Sequence, residues 1–164
     1  MLSRRKDFFV VAHNIRSLYN VGSIFRTADA FGVSKIYLTG YTGTPEQAKQ
    51  KQKIAKSALG AESFTPWEYH KSAVGLIRRL HSLGVRVVGL ENHVKAKKLG
   101  RAAFKAPLAL VLGEETKGIP KPILKLCDEI VEIPMVGEKE SLNVAVAFGI
   151  AAYKIAESLK FGKF

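Results

Sequence analysis

The chain reads as an α/β protein, with a mostly parallel sheet and helices on both faces. Two observations predict this. Short apolar or β-branched runs alternate with amphipathic helical patterns from one end to the other, and such alternation builds strand–helix–strand units. The run Leu108–Leu112 is apolar at every position, as a strand covered on both faces must be. At 164 residues and 47% apolar content, the chain is long enough to close one sizeable core.

The elements follow in order. Phe8–Ala12 is the first strand. Val21, Ile24, Phe25, Ala28 and Phe31 then recur at helical spacing, with Asn20 placed as the N-cap. Lys35–Thr39 is the second strand. Tyr41–Lys56 is irregular and rich in Gln and Lys, with Lys49, Lys51, Lys53 and Lys56 close together. It reads either as a solvated helix face or as an RNA-contacting loop, and the two are compatible. Val74, Ile77 and Leu80 mark a second helix, with Arg78 and Arg79 opposite. Val85–Leu90, Leu108–Leu112 and Ile130–Ile133 are the remaining strands. Pro134 cannot donate to a ladder and ends the last of them. After the polar loop Val136–Glu140, Ser141 is placed to cap the closing helix, with Asn143 in its first turn. That helix, Leu142–Leu159, is apolar around most of its circumference. It is therefore buried on several sides, within the monomer or against a partner subunit.

Charge and cysteine content bound the function. A net charge of +12 favours a polyanionic partner, because phosphates release condensed counterions on binding. The single cysteine, Cys127, excludes an internal disulfide and a multi-cysteine metal site. Its apolar neighbours make it a core thiol. The histidines lack metal-binding spacing, so no metal is expected. His13 and His93 fall near strand ends, and His70 and His81 show no evident partner. No run approaches the ~20 apolar residues of a membrane span. The run Phe8–Ala12 is too short for a leader core, which leaves the cytoplasm as the expected location.

The segment Gly113–Gly118 follows the fully apolar strand. It is not a Walker loop, since Ile119 and Pro120 stand where Lys and Ser or Thr are needed, and Glu114 and Glu115 would repel phosphate. No G-x-G-x-x-G occurs, so the dinucleotide fingerprint is absent. An acidic loop with two glycines suits a neutral or cationic ligand. Arg26 lies opposite the apolar stripe of its helix. It reads as a surface arginine facing Asp29 or solvent, or as a guanidinium clamping a phosphate.

Three stretches belong together: Asn20-Val21-Gly22-Ser23-Ile24-Phe25-Arg26-Thr27-Ala28, then Leu112-Gly113-Glu114-Glu115-Thr116-Lys117-Gly118-Ile119, then Ile133-Pro134-Met135 with Ser141-Leu142-Asn143-Val144-Ala145-Val146-Ala147. In this order and spacing they resemble the motifs of the SpoU (TrmH-like) branch of the SPOUT RNA methyltransferases, over nearly the whole chain. The resemblance implies a C-terminal trefoil knot and transfer of a methyl group from S-adenosylmethionine to a ribose 2′-hydroxyl of tRNA or rRNA. It implies catalytic roles for Arg26, Asn20, Glu115 and Asn143. It implies cofactor contacts from Leu90, Leu112, Gly113, Gly118, Ile133, Met135, Ser141 and Leu142. Arg26 would orient the hydroxyl and the neighbouring phosphate. The family's subunits pair as homodimers through the last helix. Residues 1–164 read as one such domain without the N-terminal RNA-binding domain of many relatives. RNA recognition then falls to the body of the domain, its basic loop or both subunits. Two positions depart from the family: Glu114, where a small or amide residue is usual, and Thr116, where glycine is usual. The alternatives are a base-methylating SPOUT enzyme and a non-catalytic RNA-binding protein of the same fold.

Overall fold

The computed structural model describes residues 7–161. Its elements are β1 (Phe8–His13), α1 (Leu18–Ala30), β2 (Lys35–Thr39), α2 (Ala48–Ala58), β3 (Trp67–His70), α3 (Ala73–Ser82), β4 (Arg86–Leu90), β5 (Lys97–Lys98), β6 (Leu108–Leu112), α4 (Lys121–Leu124), β7 (Glu129–Glu132) and α5 (Val144–Ser158). The seven strands form one sheet in the order β3-β2-β1-β6-β4-β7-β5. Every pairing between them is parallel.

The apolar strands are apolar because both faces are covered. Along β1, Phe8, Val10 and Ala12 enter one core while Phe9 and Val11 enter the other. Along β6, Leu108, Leu110 and Leu112 alternate in the same way with Ala109 and Val111. This is the two-residue period of a strand acting on two layers. The first core also takes residues from α1, α2 and α5, including Phe25, Ile54 and Phe148. The second takes Leu76, Ile77 and Leu80 of α3 and Ile123 of α4.

Local chemistry explains where the helices differ from the expectation. Ser17, not Asn20, caps α1: its side chain accepts from the Asn20 amide. Asn20 lies inside the first turn, which frees its own side chain for a distant partner. Asn143, not Ser141, caps α5, its Oδ1 accepting from the amides of Ala145 (2.9 Å) and Val146 (3.3 Å). Much of the Gln- and Lys-rich stretch is helix α2, which buries only Ile54 and Ala58 and leaves its lysines exposed. The strands β3 and β5 lie at the two edges and carry polar residues, so their apolar signal is weak. The strand expected at Ile130–Ile133 begins and ends one residue earlier.

Helix α5 buries Phe148, Ala151, Ala152, Ile155 and Ala156. Val146, Ile150 and Tyr153 remain 42–52% exposed on its other side. Among the described residues no helix is long and apolar enough to cross a membrane. The leader reading extends over Met1–Lys6, which lie outside the described residues, while Phe8–Ala12 belongs to β1.

Candidate functional site

The parallel sheet brings the carboxyl ends of β4, β6 and β7 to one edge, which is where open α/β sheets take ligands. Three strand-end segments, Leu90–Asn92, Leu112–Gly118 and Glu132–Met135, meet the chain returning at Ser141–Ala147. Together they wall a cleft of ≈ 850 Å³, open mouth included. All eight residues expected at a cofactor line it: Leu90, Leu112, Gly113, Gly118, Ile133, Met135, Ser141 and Leu142. Glu91, Asn92 and Glu132 line it too and were not foreseen. Their only signal in the sequence is their position at or just beyond the ends of β4 and β7.

The turn after β6 is folded tightly on itself. The Gly118 amide donates to the Glu114 carbonyl at 2.9 Å. A Cβ on Gly113 would stand 2.4 Å from the carbonyl carbon of Gly118, so no side chain fits there. Gly118 has φ +68°, and a Cβ on it would meet Glu91 Oε2 at 2.2 Å. That same oxygen accepts from the Ile119 amide at 2.7 Å and ties the turn to the end of β4. Glu114 and Thr116 interact with each other: the Thr116 hydroxyl donates to Glu114 Oε1 at 2.8 Å. Glu114 is nearly buried and faces Arg16 at 3.8 Å.

A polar chain that starts from Glu115 in the cleft wall joins all three motifs. Glu115 Oε1 accepts from the Ser17 amide and from Asn20 Nδ2, each at 3.0 Å. Its Oε2 accepts from the Arg16 amide at 3.0 Å. Asn20 Oδ1 in turn accepts from Asn143 Nδ2 at 3.1 Å. Asn143 then caps α5. Burial pushes the Glu115 carboxyl up, but its hydrogen bonds from Arg16, Ser17 and Asn20 outweigh that, and its pKa lies below the ordinary value. Glu115 is therefore an ionised anchor with its oxygens occupied. It fits poorly as a proton acceptor for substrate. Arg26 does not join this group. It is exposed on α1, does not line the cleft, and makes no ion pair with Asp29 among the described residues.

The other titratable candidates lie elsewhere. His13 Nδ1 is 2.9 Å from Thr39 Oγ1, and burial lowers its pKa. His70 and His81, expected without partners, face Glu68 (3.1 Å) and Asp128 (3.2 Å). His93 accepts from the Lys95 amide. Cys127, expected as a core thiol, is only partly buried at the margin of the second core. Desolvation, helped by Asp128, pushes its thiol up to about 12, which leaves it inert. Among the described residues no group of three or more His, Cys, Asp and Glu is placed to hold a metal ion.

Chemically, the cleft suits a cation rather than a phosphate. Glu91, Glu114, Glu115 and Glu132 line it against a single cationic lining residue, Lys117. The backbone-lined glycine turn allows close approach by a flat group. The site is thus a cleft at the carboxyl ends of β4, β6 and β7 of a parallel α/β sheet, walled on the far side by the start of α5. The chain belongs to the SpoU rRNA Methylase family, whose model matches residues 7–153. This is the SpoU/TrmH branch of the SPOUT superfamily.

Among its relatives, the 23S rRNA (guanosine-2′-O-)-methyltransferase RlmB of Ralstonia nicotianae is 32% identical over 145 residues, 88% of this chain and 56% of that protein. An AdoMet-bound rRNA methyltransferase from Sinorhizobium meliloti superposes with a TM-score of 0.87 at 26% identity, over 96% of this chain and 58% of that one. A structure described as giving insights into the 2-OH methylation of C/U34 on tRNA superposes with a TM-score of 0.81 at 26% identity, over 94% of this chain and 97% of that one. The chain spans 56–65% of the length of the first curated relatives.

Proposed function

We propose that this chain is an S-adenosylmethionine-dependent methyltransferase acting on a ribose 2′-hydroxyl of tRNA or rRNA. One observation carries the reading. The three sequence motifs, distant along the chain, are joined in space by the Glu115–Asn20–Asn143 chain, and the second and third of them line one acidic cleft. A protein that only bound RNA would have no need of that convergence. The residues fit the cofactor. The four carboxylates suit its sulfonium and ammonium charges, and the glycine turn leaves backbone groups for its adenosine. Leu90, Leu112, Gly113, Gly118, Ile133, Met135, Ser141 and Leu142 would hold it. When bound, S-adenosylmethionine supplies an electrophilic methyl group, and no metal is required.

The chain's own residues supply position. Glu115 fixes the β1–α1 loop and Asn20. Asn20 fixes Asn143, and Asn143 fixes the start of α5 beside the cleft. Together they would position the acceptor hydroxyl at the cleft, where S-adenosylmethionine would supply the methyl group. Arg26 orients the hydroxyl and its adjacent phosphate with a fixed guanidinium fork. Since Arg26 lies away from the cleft of its own chain, the reading assigns it to the cleft of a second subunit. The exposed Val146, Ile150 and Tyr153 of α5, which packs beside α1, support a two-fold homodimer. The trefoil knot belongs to the same reading. It is supported by the Asn92 side chain donating to the Glu140 carbonyl and by the returning segment walling the cleft between the other two loops.

Isothermal calorimetry with S-adenosylmethionine and its product S-adenosylhomocysteine tests the cofactor half of this reading. Saturable heat is expected from the folded protein. Its absence would overturn the enzyme assignment.

A further inference from the structure

A second concavity runs along the edge strand β3, from Trp67 to Tyr69, and reaches the loop that follows β2. Its walls are Tyr41, Trp67 and Tyr69, with Glu46, Gln47 and Gln50 between them. Two of the rings face outward: Tyr41 is 57% exposed and Tyr69 is 48% exposed. Both are nevertheless held. The Tyr69 hydroxyl donates to the Gly40 carbonyl at 2.7 Å. The Tyr41 amide donates to Asn14 Oδ1 at 3.0 Å. Desolvation first, then the Glu114 carboxylate, hold the pKa of the Tyr41 hydroxyl above its ordinary value. Glu114 lines the cofactor cleft. Tyr41 lines the concavity but not the cleft, so Glu114 is the group that relates the two spaces.

The polar groups point to one class of ligand. Gln50 Oε1 accepts from the Thr44 amide at 2.9 Å, which fixes the amide and leaves Nε2 as an unused donor among the described residues. Glu46 brings a carboxylate, and no lysine or arginine lines the space. A phosphate would be repelled there. A flat group with N–H donors on its edge and a π face would be held. Outside the concavity, Lys49, Lys51 and Lys53 are exposed on α2, the helix that contributes Gln50. They can neutralise a phosphate backbone running past it.

We propose that this concavity is a base-binding subsite that takes the nucleobase of a residue flanking the target ribose. The base stacks on Tyr41 and Tyr69, its edge bonds to Glu46, Gln47 and Gln50, and its phosphates run along α2. The inference rests on the RNA substrate of the reading above. It adds an RNA anchor outside the three motifs: stacking on the rings tolerates any base, and the edge contacts to Glu46, Gln47 and Gln50 supply the selection.

The chain contains one tryptophan, and Trp67 lines the concavity. Its fluorescence, excited beyond the tyrosine absorption band, reports directly on the space. The probes are a short single-stranded oligoribonucleotide and an abasic ribose-phosphate oligomer of the same length. The RNA should quench Trp67. The abasic oligomer should bind about tenfold more weakly and leave the emission unchanged. Tyr69→Ala should lower RNA affinity about tenfold with the salt dependence unaltered, because no phosphate contact is lost. Tyr69→Phe keeps the ring and should bind nearly as the wild type does. Retained S-adenosylmethionine binding in Tyr69→Ala shows that the variant is folded. If it does not fold, Tyr41→Ala and the abasic comparison decide. Equal binding of the two probes, or wild-type affinity in Tyr69→Ala, overturns the subsite. A wild-type protein that binds no RNA overturns both the subsite and the RNA reading. A wild-type protein that binds RNA but not S-adenosylmethionine overturns the methyltransferase reading alone, and Trp67 quenching still decides the subsite.

Discussion

Removing the Glu115 carboxylate should loosen the whole site, and the effect should disappear in acid. The carboxylate accepts three hydrogen bonds, from the amides of Arg16 and Ser17 and from Asn20 Nδ2, each at 3.0 Å. A hydrogen bond to a charged group contributes about 1.5–3 kcal/mol. Water replaces part of this, because Arg16 is exposed and Ser17 and Asn20 are only partly buried. A net loss of about 2 kcal/mol is therefore expected for Glu115→Ala at neutral pH. For a domain of this size that lowers Tm by roughly 4–8 °C. Glu115→Gln should recover little, since its amide group turns a donor toward donors. The pH dependence follows from the lowered pKa. The stabilisation is complete above the ordinary value of 4.5 and is lost as pH falls through the lower folded-state value. Calorimetric melts of wild type and Glu115→Ala should thus differ fully at neutral pH and converge well below 4.5. A gap that is absent, or that stays constant with pH, would refute the anchoring role.

Three further outcomes are expected. Gly22→Ala should cost about 1–3 kcal/mol or more by overpacking, because a Cβ there would stand 2.1 Å from Ser57 Oγ and 2.2 Å from the Ile54 carbonyl oxygen; chemical denaturation reads it, and an unchanged midpoint would contradict the close α1–α2 crossing. Ile150→Glu should yield monomers or insoluble protein, measured by light scattering, and a soluble dimer would remove α5 from the interface. Arg26→Ala and Arg26→Lys should both abolish methylation while leaving cofactor binding nearly intact, since an ammonium lacks the planar fork; normal turnover in the lysine variant would rule out bidentate orientation.

The two-faced strands were legible because β1 and β6 are apolar at nearly every position. The edge strands were not. Trp67–His70 carries Glu68 and His70, and its pairing with β2 is long-range. The helix caps were misjudged by two or three residues for one physical reason. Asn20 and Ser141 are good capping residues by type, but only the backbone path decides which polar side chain faces the free amides. Ser17 takes that place in α1, which releases Asn20 to Glu115. Asn143 takes it in α5 and still reaches Asn20. Eight residues of the cleft's lining, from Leu90 to Leu142, were legible through the family resemblance. Glu91 was not, because its role is to hold the Ile119 amide across 28 positions of chain, a contact no local pattern encodes. The partners of His70 and His81 were hidden likewise: Asp128 lies 47 positions from His81.

The central claim is that the acidic cleft and the motif chain joined to its wall serve methyl transfer to a ribose. The most direct measurement is mass spectrometry of nucleosides from tRNA and rRNA incubated with the purified protein and isotopically labelled S-adenosylmethionine. The account predicts labelled 2′-O-methyl nucleosides, absent with Arg26→Ala. A label found on a base, or no label in any RNA despite saturable cofactor binding, would contradict it.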